Sequence, residues 1–242
     1  MDQTKTFIIH LPRATARRPQ VDHLLNTSPY RAEVLDAVDG SALTKTQQTD
    51  CYSATPLHRP HYPFALNTGE IGCFLSHRAA WQRILDEDLD AALILEDDVQ
   101  IEPAAFERSH TLAAAHIAQL GYIQFQVRQL KGSVKLLKED EGSQIVAPEI
   151  TPLRTSAQLV SHKAAKHLLD ITKRFDRPID TTLQMHWVTG IPLACVVPSG
   201  VSDRTAQTGG STISRSQPIG QKIKREFKRT LYRRAVRNFS TR

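Results

Sequence analysis

Six segments of strand length hold the apolar residues in unbroken or alternating runs: residues 5–11 (KTFIIHL), 33–38 (EVLDAV), 91–95 (AALIL), 122–127 (YIQFQV), 156–160 (SAQLV) and 193–197 (LACVV). A strand covered on both faces reads as a continuous apolar run, and 91–95 is the clearest case. Between these segments the apolar positions recur at helical spacing. Residues 16–25 suit a short helix after the break at Pro12-Arg13. Ile71, Phe74, Leu75, Trp81, Ile84 and Leu85 mark a longer one that Thr68 can cap, with Glu70 set favourably in its first turn. Pro103 is placed to start a helix to about Leu120, and Ser161 to cap one running through Leu168 to Ile171. Pro178-Ile179-Asp180 precedes a further helical stretch. Residues 41–68, with prolines at 56, 60 and 63, show no period and read as a long excursion, while 132–150 suggest a hairpin at most. Strand, helix and strand over residues 5–38 predict a βαβ unit and hence a parallel sheet.

The last periodic stretch differs in kind. Ile219, Ile223, Phe227, Leu231, Ala235 and Phe239 recur every four residues among Lys and Arg. Residues 215–242 hold ten Lys/Arg and one acid, a surplus of nine against +6 for the whole chain, so the rest is slightly acidic. The basic character belongs to this tail. The expected organisation is therefore a domain over 1–214 and a basic amphipathic tail over 215–242. Such a helix suits an anionic membrane surface, with a disordered or nucleic-acid-binding tail as the competing reading. The 40% apolar and 23% charged residues suit a globular domain with a sizeable core. No run is long enough to span a bilayer, and MDQTKTFIIHL lacks a signal-peptide layout, so the expected location is cytoplasmic. Cys51, Cys73 and Cys195 are odd in number and widely spaced, which excludes a disulfide framework or zinc knuckle and suggests small buried hydrophobes.

Candidate chemistry centres on the end of the 91–95 run, where Glu96, Asp97 and Asp98 follow without a break. Three acids there repel one another unless a cation or solvent relieves them. Period-two alternation puts Glu96 and Asp98 on one face and Asp97 on the other. That pattern reads either as an acid-x-acid site for a hard divalent cation or as a solvated strand-to-loop junction. Arg17 and Arg18 lie in the first turns of a helix, where they oppose the macrodipole. A nearby phosphate accounts for them; so do two solvated arginines. Gly69 and Gly72 cost helix stability and are tolerated where a backbone must come close. Ser76-His77 cannot act as nucleophile and base, since consecutive helical residues point apart, and reads as a surface or partly packed pair.

IIHLPRATARR (8–18), DAVDG (36–40), GEIGCFLSH (69–77) and LILEDDV (93–99), in this order and spacing, resemble glycosyltransferase family 25. SAQLVSHKAAKHLL (156–169), Pro178-Ile179-Asp180 and Gly209-Gly210-Ser211-Thr212-Ile213 are similar to further landmarks, so the resemblance covers residues 5–214. It implies an α/β, GT-A-like single domain with a central mixed sheet, and an inverting transfer of sugar, commonly galactose from UDP-galactose. Members include bacterial enzymes of lipopolysaccharide or lipooligosaccharide synthesis, which implies a glycolipid or oligosaccharide acceptor and, with the tail, a peripheral position on the inner membrane. No nucleic-acid partner is expected.

By the same resemblance Glu96 and Asp98 hold Mn²⁺ or Mg²⁺ on the diphosphate, in agreement with the oxygen-donor chemistry such ions favour. Leu11, Arg13, Arg17, Asp39, Gly40 and Asp97 are expected around the nucleotide sugar, the arginines at the phosphates, Asp39 at the uridine and Asp97 at the ribose or holding the loop. Inversion needs a base for the acceptor hydroxyl. Asp180 is the first choice, with N-capping of a helix from Thr181 as its alternative role, and Glu70 and His77 are the other candidates. Three positions depart from the family's habit: His10 stands where Asn is usual, Gly121 where an Asp often precedes the strand, and Gln158 where Tyr is frequent. The competing function classes are a metal-dependent phosphoryl-transfer enzyme, for which no GxxxxGK[ST] loop is present, and a non-catalytic membrane or nucleic-acid binder.

Overall fold

The first apolar run becomes β1 (Thr4–His10), and the turn at Pro12-Arg13 leads through one 3-10 turn (Thr15–Arg17) into α1 (Arg18–Thr27). There follow β2 (Ala32–Asp36), α2 (Lys45–Cys51), α3 (Thr68–Asp86), β3 (Ala91–Glu96), β4 (Val99–Ile101), α4 (Pro103–Leu120) and β5 (Tyr122–Phe125). The chain continues through β6 (Val134–Asp140), β7 (Ser143–Pro148), β8 (Ala157–Ser161), α5 (His162–Ile171), α6 (Ile179–Leu183), α7 (His186–Thr189), β9 (Ala194–Val197), β10 (Val201–Asp203) and α8 (Ile219–Ser240). The computed structural model describes residues 3–204 and 219–241. The Gly209-to-Ile213 landmark and the expected boundary at 214/215 lie outside the described residues.

Eight strands form one mixed sheet in the order β2-β1-β3-β8-β5-β9-β7-β6, and β4 and β10 pair separately. β1 lies parallel to both β2 and β3, so the predicted βαβ unit is present. β8 runs antiparallel between β3 and β5, which makes the sheet mixed. Alternation along β3 sorts its side chains cleanly. Ala92 and Ile94 join the cluster under α3 and α5, and Ala91, Leu93 and Leu95 join the cluster that includes Leu24 of α1 and Phe106 of α4. Helices thus cover both faces, and both sets of apolar residues leave water. From β1 the chain passes to β2 on one side and later returns to β3 on the other. In open α/β sheets such a switch point opens a crevice beyond the carboxyl ends of the strands.

The loop after β2 enters that crevice because two glycines let backbones touch. A Cβ on Gly40 would lie 1.7 Å from the Thr68 carbonyl oxygen, and one on Gly72 would lie 2.5 Å from that of Val38. Ser76 fastens the crossing: its hydroxyl accepts from Val38 N–H at 2.8 Å and donates to the Gly72 carbonyl at 2.7 Å. Ser76 and His77 are both 1% exposed, so the pair expected to be on the surface or partly packed is fully interior. The cap of α3 is Asn67, not Thr68. Asn67 and Glu70 close a reciprocal capping box, and Thr68 is the first helical residue. The long excursion is not structureless, since Thr44 and Gln47 form a second capping box that starts α2.

The tail helix packs onto the domain by a face other than the expected stripe. Tyr232 and Val236 are buried, whereas Phe227 is 64% and Leu231 52% exposed, and Phe239 stacks on Trp187. Tyr232 reaches Arg177, which is wholly buried. The Arg177 guanidinium donates to both Asp176 carboxylate oxygens at 2.7 and 3.0 Å, to the His58 and Pro60 carbonyls at 2.9 and 3.0 Å and to the Tyr232 hydroxyl at 3.1 Å. A buried charge is tolerable only when paired and hydrogen-bonded in this way. No helix among the described residues is long and apolar enough to cross a membrane.

The backbone crossing makes a sharp forecast. Gly72→Ala has no side chain to move aside, only the backbone of Val38 and Gly40, and overpacking of this kind costs about 2 kcal/mol. A lowered urea midpoint, together with faster proteolysis in residues 37–44, is the expected result.

Candidate functional site

A cavity of about 530 Å³ opens at the carboxyl ends of β1 and β3. Leu11, Arg13, Arg17, Asp39, Gly40, Glu70, His77, Glu96, Asp97, Asp98 and Asp180 all line it. Every candidate site residue read from the sequence therefore comes to one place, although the parts they play differ from the expectations in several respects.

The three carboxylates do not alternate as a continuing strand would. β3 ends at Glu96, and the chain turns at Asp97 and Asp98 before β4. Period-two alternation therefore does not place Asp98, which lies beyond the end of the strand. Asp97 and Asp98 stay together on the α1 side, where Arg17 meets Asp97 at 2.5 Å and Asp98 at 3.4 Å. Burial works against the charge on Arg17, but these acids outweigh it and hold the pKa above its ordinary value. His10 closes the other side of Asp97 through Nδ1 at 2.7 Å, so the residue that departs from the usual Asn ties the end of β1 to the end of β3. Arg18, by contrast, pairs with exposed Asp22 on the surface.

Glu96 turns to the α3 side. It meets His77 Nε2 at 3.1 Å and accepts from the hydroxyls of Thr155 and Ser156, each at 3.3 Å. Burial pushes its pKa up, yet the His77 contact and the two hydroxyls draw it below the usual carboxylate value. A relay stands behind His77. The Tyr122 hydroxyl donates to Gln158 Oε1, and the Gln158 amide nitrogen donates to His77 Nδ1 at 2.9 Å and to the Thr155 carbonyl at 3.1 Å. The Thr155 carbonyl can only accept, which fixes the way the amide faces and, through it, assigns the His77 proton to Nε2, toward Glu96. Gln158, the second departure, is thus the residue that orients His77. Gly121, the third, ends α4 at φ +76°, a backbone that favours glycine.

On the far wall Asp180 lies within the first turn of α6, where Pro178 holds the cap position, so N-capping is not its role. Its carboxylate accepts from the Thr181 backbone N–H at 2.7 Å and from that of Arg154 at 3.3 Å. Burial raises its pKa against those bonds, and the charge of Glu96 adds to the rise. Arg154 holds a left-handed backbone at φ +88°, rare for a residue with a side chain and common at functional sites. Glu70 is also raised by burial, but its carboxylate is committed to the Asn67 N–H at 2.9 Å in the capping box. Asp39 accepts two bonds from Arg13, at 2.7 and 3.3 Å, and with Ser41 these hold its carboxyl well below the usual range.

Two donor sets within the cavity suit cations of different kinds. Glu96, Asp97 and Asp98 offer the hard oxygens that Mg²⁺ or Mn²⁺ favour, with Arg17 against Asp97 and Asp98. Ligand atoms of Cys73, His77 and Glu96 lie within 4.8 Å of one another, a mixed S, N, O set suited to softer ions. In the second set His77 Nε2 lies 3.1 Å from Glu96, and burial pushes the Cys73 thiol well up. Of the two, the all-oxygen set has the chemistry that Mg²⁺ or Mn²⁺ favours. Sequence reasoning missed Tyr62, Cys73, Arg154 and Thr155. Tyr62 sits in the aperiodic excursion, and Thr155 precedes a strand that looks merely apolar.

The chain matches the family described as Glycosyltransferase family 25 (LPS biosynthesis protein) over residues 3–183. It is 36% identical over 107 residues to procollagen galactosyltransferase 2 of Homo sapiens, covering 40% of this chain and 16% of that protein. A glycosyltransferase 25 family member of Drosophila melanogaster is 32% identical over 131 residues, 52% of this chain and 21% of its own. The chain thus spans about a fifth or less of the length of these two relatives. The crystal structure of a glycosyltransferase involved in the glycosylation of the major capsid of PBCV-1 overlaps 68% of this chain and 62% of its own, with TM-score 0.35 and 12% identity. The matched span runs from β1 through α6 and takes in the acidic turn after β3, the Gly40–Gly72 crossing and Asp180, and on this ground the chain belongs to glycosyltransferase family 25.

Proposed function

We infer that the chain transfers a hexose, galactose in the first instance, from a UDP-sugar to a saccharide acceptor with inversion at the anomeric carbon. The observation that carries this reading is the shared cavity. Asp39, Arg13, the acids after β3 and Asp180 all line it. The galactosyltransferase name of the human relative favours galactose, and the family's description favours a lipopolysaccharide-type glycan as acceptor.

The division of labour follows from the contacts. Arg13, exposed and held by Asp39, is free to turn its remaining N–H groups toward a diphosphate, while Asp39 and the Gly40 backbone form the floor for the nucleoside. Arg17 and Asp97 hold the acidic turn in shape, and Asp98 from the α1 side and Glu96 from the α3 side are the residues that would hold a divalent cation. Mn²⁺ or Mg²⁺ bound there supplies positive charge to the leaving diphosphate. Asp180 takes the proton from the acceptor hydroxyl as it attacks the anomeric carbon. Its raised pKa makes it a stronger base than an exposed aspartate, and the bonds from Thr181 and Arg154 fix its aim. His77, locked between Gln158 and Glu96, orients the carboxylate, and the capping role of Glu70 leaves it as wall.

Release of UDP from a panel of UDP-sugars with Mn²⁺ tests this. Asp98→Ala and chelation by EDTA should each abolish turnover; an equally active variant, or no donor consumed, refutes the assignment. Asp180→Asn keeps an oxygen for the Thr181 N–H, so it should fold normally while kcat drops roughly 10²–10⁴-fold. The base works deprotonated, so kcat/KM in the wild type should fall as pH is lowered through a limb lying above the ordinary aspartate value of about 3.9. A flat profile across that limb excludes Asp180 as the base.

A further inference from the structure

We propose that the larger cavity walled by α8 binds the saccharide acceptor, and that this acceptor carries negatively charged groups, phosphate or carboxylate. The proposal rests on the glycosyl-transfer reading above. A space of about 950 Å³ lies beside the donor cavity and shares Tyr62, Leu153, Arg154, Asp180 and Thr181 with it. The base and the strained Arg154 therefore stand at the junction. An acceptor hydroxyl must reach Asp180 from the side that the donor does not fill, and this cavity is that side.

Charge identifies the occupant. Among the described residues the lining holds seven Lys/Arg side chains and a single carboxylate, Asp180 itself. Arg229, Arg233, Arg234 and Arg237 come from α8, and Arg128 and Lys131 from the segment after β5. Partial compensation comes from Asp203, at 2.5 Å from Arg154 and 3.7 Å from Arg128, and from Glu226 beside Arg229. A concave wall with so large an excess of one sign concentrates counter-ions and draws in a ligand of the opposite sign. Gln126, Gln129 and Gln184 add polar side chains to the same lining. The apolar residues suited to lipid contact, Phe227 and Leu231, are exposed and take no part in the lining, so the arginine wall is not simply the face that would lie on a membrane.

Calorimetric titration of the full chain separates the possibilities. The probes are trigalacturonic acid, neutral maltotriose of equal length, phosphatidylcholine vesicles with and without phosphatidylglycerol, and UDP with Mn²⁺. The expected result is binding of trigalacturonic acid that weakens with salt and no comparable binding of maltotriose. Arg233→Glu combined with Arg237→Glu should weaken trigalacturonic acid on the order of tenfold or more, whereas the Arg233→Lys, Arg237→Lys pair should retain it. Equal binding of the two trisaccharides, no binding of either, or indifference to charge reversal overturns the proposal. Binding to phosphatidylglycerol vesicles without binding of trigalacturonic acid overturns it in favour of a lipid surface. The UDP–Mn²⁺ titration reads the donor half separately: its failure beside intact, charge-dependent trisaccharide binding refutes the UDP-sugar reading and leaves the anionic cavity standing.

Discussion

Three carboxylates in succession at the end of a buried strand set the problem that the rest of the site answers. Left together they would repel one another in a place where water is scarce. The fold divides them. The turn after Glu96 carries Asp97 and Asp98 to Arg17 and His10 on the α1 side and leaves Glu96 to His77, Thr155 and Ser156 on the α3 side. One strand end is thereby linked to β1, α3 and the approach to β8. The arrangement exists because β1 and β3 are neighbours and parallel, so that their carboxyl ends meet at a single edge.

Local signals made much of this legible. The apolar runs marked the strands, Pro103 and Ser161 marked helix starts, and the acid run marked the site, because each expresses a rule that acts within a few residues. Failures came where the deciding contact is distant. The alternation rule assigned Asp98 to Glu96 because nothing nearby says that the strand stops there. Ser76-His77 read as a surface or partly packed pair because partners such as Gln158, 81 residues from His77, are invisible locally. The Asn67 and Thr44 capping boxes were readable from their spacing and were overlooked, the first in favour of the adjacent Thr68 and the second because prolines dominate the segment. The departures at His10, Gly121 and Gln158, which looked like losses, prove to be a tether, a helix end and an orienting amide.

The tail shows the same limit from the other direction. Its period of four was real, yet helix geometry alone does not say which side faces protein. Tyr232 is chosen by the partner surface that Arg177 and Tyr62 present. Once the helix is docked, its arginines become the wall of a cavity instead of a uniformly solvated charge, and a feature read as a membrane signal acquires a second reading beside the carboxylate Asp180.

The bond between Arg177 and Tyr232 also orders events in time. The two residues are 55 positions apart, so at the usual pace of synthesis Tyr232 is added roughly 3–11 s after Arg177. Residues that build the crevice beyond β1 and β3 all precede Asp180 or lie next to it, while the arginines of α8 come last. A nascent chain therefore holds every residue that lines the crevice before it holds the arginine wall of the second cavity.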